Sequence, residues 1–324
     1  MDIGSVRRYL GGDWNRLEDV LSGSLRSGVT LLDATNKNLL ENGGKMLRPL
    51  LSLLMARACG TLTRESLNYA AATELLHNAT LLHDDVVDDS AERRGRPTVY
   101  SMLGKGPSVL IGDFWLVRAI DRILASEKHC LEVTGLFART LSDLAEGEIL
   151  QMEKAADGTT TEADYLRIIN GKTASLFRTA CVSAAISVDA PEEVVEAAGR
   201  YGESLGLAFQ IQDDILDYEG GEIGKPVGVD LREQKITLPL LGALAALDSA
   251  EAERVRGMVA RIGDHPEYVA EVDGIVRSHG GLEYARRRMA GFVRAAVEAL
   301  GALRASRERE ILEELARYCA SRAI

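Results

Sequence analysis

The placement of seven prolines constrains this 324-residue chain more than any other feature. They stand at Pro49, Pro97, Pro107, Pro191, Pro226, Pro239 and Pro266, so 50–96, 108–190 and 267–324 contain none. A proline inside a helix costs about 3 kcal/mol, and its absence leaves these stretches free to run as long helices. Alanine, leucine and glutamate fill them. Leu75, Ala79, Leu82 and Val86 follow at steps of four, three and four, which predicts one buried helical stripe. Alternating runs of Val, Ile and aromatic residues are nearly missing, and aromatics make up only 5%. The expected class is all-α. Breaks are expected at Gly43-Gly44, Arg94–Thr98, Gly104–Pro107, Asp157–Thr161, Asp189–Pro191, Glu219–Gly228 and Gly263–Pro266. None reads as an interdomain linker, so residues 1–324 are expected to form a single large helical domain.

Hydrophobic residues at 46% supply apolar surface enough to offset the entropy of ordering, which argues against disorder. The 38 basic and 49 acidic residues leave a formal net charge of −11, which argues against general nucleic-acid binding. An anionic ligand would need a local basic patch or a metal ion. Cys59, Cys130, Cys181 and Cys319 show no zinc-site spacing and read as reduced thiols of a cytoplasmic protein. The N-terminus lacks the apolar run of a secretory signal, and the apolar stretch from Pro49 to Met55 is far short of a membrane span.

Two acidic clusters carry the chemistry. The first reads His83-Asp84-Asp85-Val86-Val87-Asp88-Asp89, the second Gln210-Ile211-Gln212-Asp213-Asp214-Ile215-Leu216-Asp217. In each, carboxylates at i and i+4 lie one helical turn apart on one face. Thr80, His77 and Thr73 continue the Asp84 face backwards, and Gln210 precedes Asp213 and Asp214 by one turn. Like charges stacked late in a helix repel one another and oppose the helix dipole. Six such carboxylates point to a bound hard cation: Mg²⁺, with Mn²⁺ as a substitute. Magnesium on a few carboxylates commonly bridges to substrate phosphates, so a phosphate or diphosphate substrate is expected. Basic residues surround the clusters in sequence: Lys45 and Arg48, Arg93 and Arg94, Lys172, and Lys225 with Lys235. Arginine pairs offer planar bidentate donors to such a ligand.

The chain resembles the trans-polyprenyl diphosphate synthases, the polyprenyl synthetase family. The resemblance rests on Gly44-Lys45-Met46-Leu47-Arg48-Pro49, on Leu81–Asp88 with Arg93-Arg94-Gly95-Arg96-Pro97-Thr98, and on Gly112-Asp113-Phe114. It continues through Gly171-Lys172-Thr173-Ala174, Phe209–Asp217, and Gly224-Lys225-Pro226 through Asp230 to Lys235-Ile236-Thr237-Leu238-Pro239. These blocks span about residues 43–240 in the family's order; after about residue 245 only helices are legible.

The resemblance implies an isoprenoid-synthase bundle around a deep central cavity. It implies condensation of isopentenyl diphosphate onto an allylic diphosphate by ionisation, condensation and elimination. Asp84, Asp88 and Asp213 are then the metal ligands, with Asp85, Asp214 and Asp217 as ligands or one step behind them. Lys172 joins this catalytic set. Arg93, Lys172, Thr173, Gln210, Lys225 and Lys235 are expected at the allylic diphosphate. Lys45, Arg48, His77 and Arg94 are expected at isopentenyl diphosphate. No protein nucleophile is needed, and released pyrophosphate takes the final proton. His83 reads as structural, Asp89 as fraying the helix end, and Gly112-Asp113-Phe114 as a helix start serving packing and dimer contact. A homodimer is expected, with a transient membrane contact for release of the apolar product.

The growing chain must pass alongside the helix that carries Asp84. Short-chain relatives often block that level with aromatic side chains, whereas here Ala79 and Thr80 are small, so the product should exceed farnesyl. Leu76 is the candidate for a deeper floor. The alternatives are a short-chain farnesyl or geranylgeranyl diphosphate synthase, a terpene cyclase, and a non-catalytic subunit of a heteromeric synthase. Complete second-cluster carboxylates and the Lys45/Arg48 pair weigh against the last two.

Overall fold

A computed structural model describes residues 2–42, 44–93, 95–220 and 228–321. Helices α1 (Ile3–Leu10), α2 (Gly12–Ser24), α3 (Thr30–Glu41), α4 (Leu47–Cys59) and α5 (Arg64–Val87) lead to a small hairpin, β1 (Glu92–Arg93) and β2 (Arg96–Pro97). Then come α6 (Val99–Leu103), α7 (Lys105–Leu124), α8 (Cys130–Asp157), α9 (Glu162–Ile169), α10 (Ser175–Ile186) and α11 (Glu192–Glu219). The chain closes with α12 (Val229–Arg232), α13 (Leu238–Leu244), α14 (Ser249–Val259), α15 (Tyr268–Ser278), α16 (Gly281–Ala299) and α17 (Arg307–Ser321). The class is all-α, as the proline-free stretches predict.

The chain divides into two compact units. One comprises Met1–Ala138, Thr179–Ala198 and Ala302–Leu312, the other Arg139–Arg178, Gly199–Gly301 and Glu313–Ile324. In the first, α5 is the central element and packs against α2, α4 and α7. Thr63 starts it with a reciprocal cap: its hydroxyl accepts from the Ser66 N–H at 3.1 Å, and Ser66 Oγ accepts from the Thr63 N–H at 3.1 Å. Every residue from Ser66 to Leu76 is buried, as expected for a helix surrounded by others. Leu75, Ala79 and Leu82 of the expected stripe are buried and Val86 is half-buried. Pro49 lies in the first turn of α4, where the missing N–H costs no helical bond.

Gly112-Asp113-Phe114 lies in the middle of α7 rather than at its start. The helix begins at Lys105, because Pro107 falls in its first turn, where proline is tolerated. One side of α7, with Ser108, Ile111, Trp115, Ala119 and Ile123, is buried. The other carries exposed Leu110, Val117, Ile120 and Leu124 at steps of seven, three and four.

In the second unit every residue of α13 is buried, packed against α9, α15 and α16. Helices α14, α15 and α16 thus close a core that includes Ile211 and Ile215 of α11.

Candidate active site

In the first unit, the Asp84 cluster occupies the last turn of α5. Asp84 is half-buried, Asp85 buried and Asp88 exposed at the helix's C-terminal cap. Oδ1 of Asp85 accepts from Arg93 Nε at 2.8 Å. The hairpin delivers that arginine: Arg93 pairs with Arg96, and Gly95 makes the turn at φ +74°. Thr98 stitches the loop by donating to the Ser90 carbonyl at 2.7 Å. Arg94 lies outside the described residues.

Asp89 does not fray the helix end. It takes φ +47°, accepts from the Tyr100 hydroxyl at 2.8 Å and meets Lys105 Nζ at 2.9 Å. Those hydrogen bonds hold its carboxyl below the usual range, the lysine foremost. His83 points its Nε2 to the Val109 carbonyl at 3.2 Å. A Cβ at residue 112 would lie 2.3 Å from that nitrogen, so Gly112 makes room for His83. His83 therefore does structural work.

His77 is half-buried two turns before Asp84, and Thr80 donates to its carbonyl at 2.8 Å. Ala79 and Leu76 are both buried. Lys45 is exposed and Arg48 half-buried in the first turn of α4. Between them Met46 adopts a left-handed conformation, φ 44°, and the Lys45 carbonyl accepts from Arg7 at 2.7 Å.

In the second unit, three segments converge. Residues Asn170–Ala174 form a π turn between α9 and α10, an irregularity common at functional sites. A Cβ on Gly206 would lie 2.5 Å from Ala174 Cα, so α11 can press against this turn only with glycine there. Gln210, one turn further on, thereby meets Thr173, whose hydroxyl donates to Oε1 at 2.8 Å. On the other side α8 brings Glu148, 2.5 Å from Lys172 Nζ, and Gln151, which accepts from it at 3.1 Å. Lys235 pairs with Glu233. Lys225 lies outside the described residues.

The second-cluster carboxylates differ in their surroundings. Asp213 is half-buried. Asp214 is buried, accepting from the Tyr165 hydroxyl at 2.6 Å and from Gln210 Nε2 at 3.0 Å. Burial, then the Asp230 carboxylate, pushes its pKa well above the usual range. Asp217 Oδ1 and Oδ2 accept from the backbone N–H groups of Val229 and Asp230 at 3.0 and 3.1 Å. Its own carbonyl accepts from the Gly228 N–H at 2.9 Å. Burial outweighs these bonds and raises Asp217 too. Loss of hydration, then the Asp217 charge, pushes Asp230 up to about 7.

Glu148, Gln151, Tyr165 and the electrostatic place of Asp230 are not legible from the cluster spacing. Asp230 lies between Lys225 and Lys235 in the sequence, whereas Glu148, Gln151 and Tyr165 carry no local signal. Arg277 of α15 donates to the Tyr218 carbonyl, and Arg286 of α16 pairs with Glu219. The late helices thus tie down the end of α11.

Among the described residues no three His, Cys, Asp or Glu side chains converge as a preformed metal cage. The donor chemistry still fits Mg²⁺. This ion demands oxygen, takes one or two protein carboxylates and completes its shell with water and phosphate. Each cluster offers carboxylates on that scale.

An all-helical chain with two Asp-Asp-x-x-Asp segments near helix ends, each beside cationic side chains, is an isoprenoid-synthase-type fold. The Polyprenyl synthetase family model matches residues 29–276. The octaprenyl diphosphate synthase of Haemophilus influenzae is 37% identical over 318 residues, 98% of this chain and 96% of that one. A solved decaprenyl diphosphate synthase from Rhodobacter capsulatus superposes with a TM-score of 0.91 at 37% identity, covering 100% of both chains. A polyprenyl synthase from Caulobacter crescentus CB15, solved with calcium and isoprenyl diphosphate, gives 0.90 at 36%, covering 100% of this chain and 98% of that one. The chain belongs to the polyprenyl synthetase family. It is an enzyme, a prenyltransferase. Among the described residues no helix is long and apolar enough to cross a membrane.

Proposed function

We propose that this enzyme condenses isopentenyl diphosphate with an allylic diphosphate into a linear all-trans polyprenyl diphosphate longer than farnesyl. What carries the reading is the pair of Asp-Asp-x-x-Asp segments, each near a helix end, in a chain of this family. The allylic carbon–oxygen bond breaks to give pyrophosphate and an allylic cation, so the barrier lies mainly in the leaving-group charge. Mg²⁺ on Asp84, Asp88 and Asp213 supplies, when bound, the positive charge that stabilises this group.

The chain's own residues do the rest. Lys172, Lys225, Lys235 and Arg93 bind the allylic diphosphate. Arg93 also holds Asp85 in place, on the support of their 2.8 Å contact. Lys45, Arg48, His77 and Arg94 bind isopentenyl diphosphate. Thr173 and Gln210 turn lone pairs toward the developing cation. Ala79 and Thr80 let the product grow past them, and Leu76 lies at the next turn down.

The enzyme works in the cytoplasm as a homodimer, meeting a membrane transiently as the apolar product leaves. Exposed Leu110, Val117, Ile120 and Leu124 form a seam on α7 with the spacing of a helix–helix interface, which supports pairing of two copies there. We take the two compact units together as one domain, residues 1–324.

The test incubates purified protein with geranyl diphosphate, radiolabelled isopentenyl diphosphate and Mg²⁺, then separates the products by length. Chains longer than farnesyl, abolished by excess chelator, are expected. A farnesyl end product or the absence of any transfer would overturn the reading.

A further inference from the structure

We propose that Tyr165 is a positioning residue for the ionisation step, acting through Asp214 and Gln210 on Thr173. The inference rests on the reading above that the Asp213 cluster serves that step. Four side chains form an unbroken run of hydrogen bonds. The Tyr165 hydroxyl donates to Asp214 Oδ2 at 2.6 Å, Gln210 Nε2 donates to Asp214 Oδ1 at 3.0 Å, and Thr173 Oγ1 donates to Gln210 Oε1 at 2.8 Å.

The run has a direction. Asp214 accepts at both oxygens, from the Tyr165 hydroxyl at Oδ2 and from Gln210 Nε2 at Oδ1, so the amide turns its nitrogen toward Asp214. The amide oxygen then faces Thr173 and takes its single hydroxyl proton. Thr173 is left with lone pairs alone to offer its surroundings, an arrangement that favours developing positive charge over a diphosphate oxygen. Without the tyrosine hydroxyl, Oδ2 would be a buried carboxylate oxygen short of its donor. Asp214 would then rotate to regain a donor, and Gln210 and Thr173 would lose their fixed order.

Tyr165 is built for this placement. It is 3% exposed, 49 residues before Asp214, on a short helix whose start is fixed by a reciprocal cap. There Thr161 Oγ1 accepts from the Asp164 N–H at 3.1 Å and Asp164 Oδ2 accepts from the Thr161 N–H at 3.0 Å.

The experiment is a double-mutant cycle on full-length protein, read by steady-state kinetics with both substrates and checked for folding by circular dichroism. Wild type is measured first: if it transfers no prenyl group, the functional reading fails, whatever Tyr165 does. Given an active wild type, Tyr165→Phe should lower kcat about tenfold or more and change the KM for isopentenyl diphosphate by less than about twofold. In a Thr173→Ala background the same change should cost less than about twofold, because the end of the run is already gone. Unchanged kcat in Tyr165→Phe, or costs that simply multiply in the double variant, would overturn the proposal. If Tyr165→Phe does not fold, Asp214→Asn takes its place in the cycle, and multiplying costs there overturn the proposal equally.

Discussion

At the scale of single residues, the aspartates of one motif do different work. Asp217 uses both oxygens to hold backbone N–H groups, whereas Asp84 and Asp213 stand half-buried among the cluster's carboxylates. Asp84→Ala and Asp213→Ala should therefore each lower turnover by at least about a hundredfold with helical circular dichroism intact. Asp217→Asn keeps an accepting oxygen and should retain most activity, while Asp217→Ala should lose about 1 kcal/mol of stability. Equal loss of activity in Asp217→Asn and Asp213→Asn would show that the Asp217 charge, not its cap, matters. Asp230 adds a pH dependence. Its folded pKa of about 7 stands above the ordinary 3.8, so the folded state holds this proton more tightly than the unfolded one. Its contribution to stability is full below the unfolded value and is lost as pH rises through about 7. Asn at this position cannot ionise. In chelator, the melting temperature of Asp230→Asn relative to wild type should climb between about pH 4 and 7 and then level. A flat difference would place Asp230 in a hydrated site.

At the scale of elements, α5 sets the depth of whatever runs beside it. Asp84 lies in its last turn, and Ala79 and Leu76 are both buried further back along the helix. Ala79→Phe should shorten the main product by at least one isoprene unit while sparing the first condensation, as chromatography of the products will show. An unchanged product distribution would mean that Ala79 faces a neighbouring helix instead. The π turn makes the same point about placement. Periodicity extends a helix through Asn170–Ala174, but the added residue rotates Thr173 toward Gln210, an outcome set by the close approach of α11.

At the scale of the whole molecule, the seam on α7 is the feature a partner would cover. Val117→Glu places a charge on that seam without touching the buried side. Light scattering should then give the mass of two chains for wild type and of one chain for the variant, and an unchanged mass would move the interface elsewhere.

Sequence alone determined the class, the two aspartate clusters and the basic residues around them. Proline placement and i, i+4 spacing are local properties that helical geometry converts directly into faces. Tertiary structure decided which of those groups are engaged. Asp85 is held by Arg93, Lys172 by Glu148 and Gln151, and Asp214 by Tyr165. It also moved Gly112 from a helix start to the place where α7 makes room for His83. Apart from Gln210, the partners of Asp214 and Lys172 come from chain segments 21 to 49 residues away, on α8 and α9, brought together with the π turn and α11 by close packing. No spacing rule records such contacts, because they depend on which backbones can approach, and small residues such as Gly206 settle that only once the helices are packed.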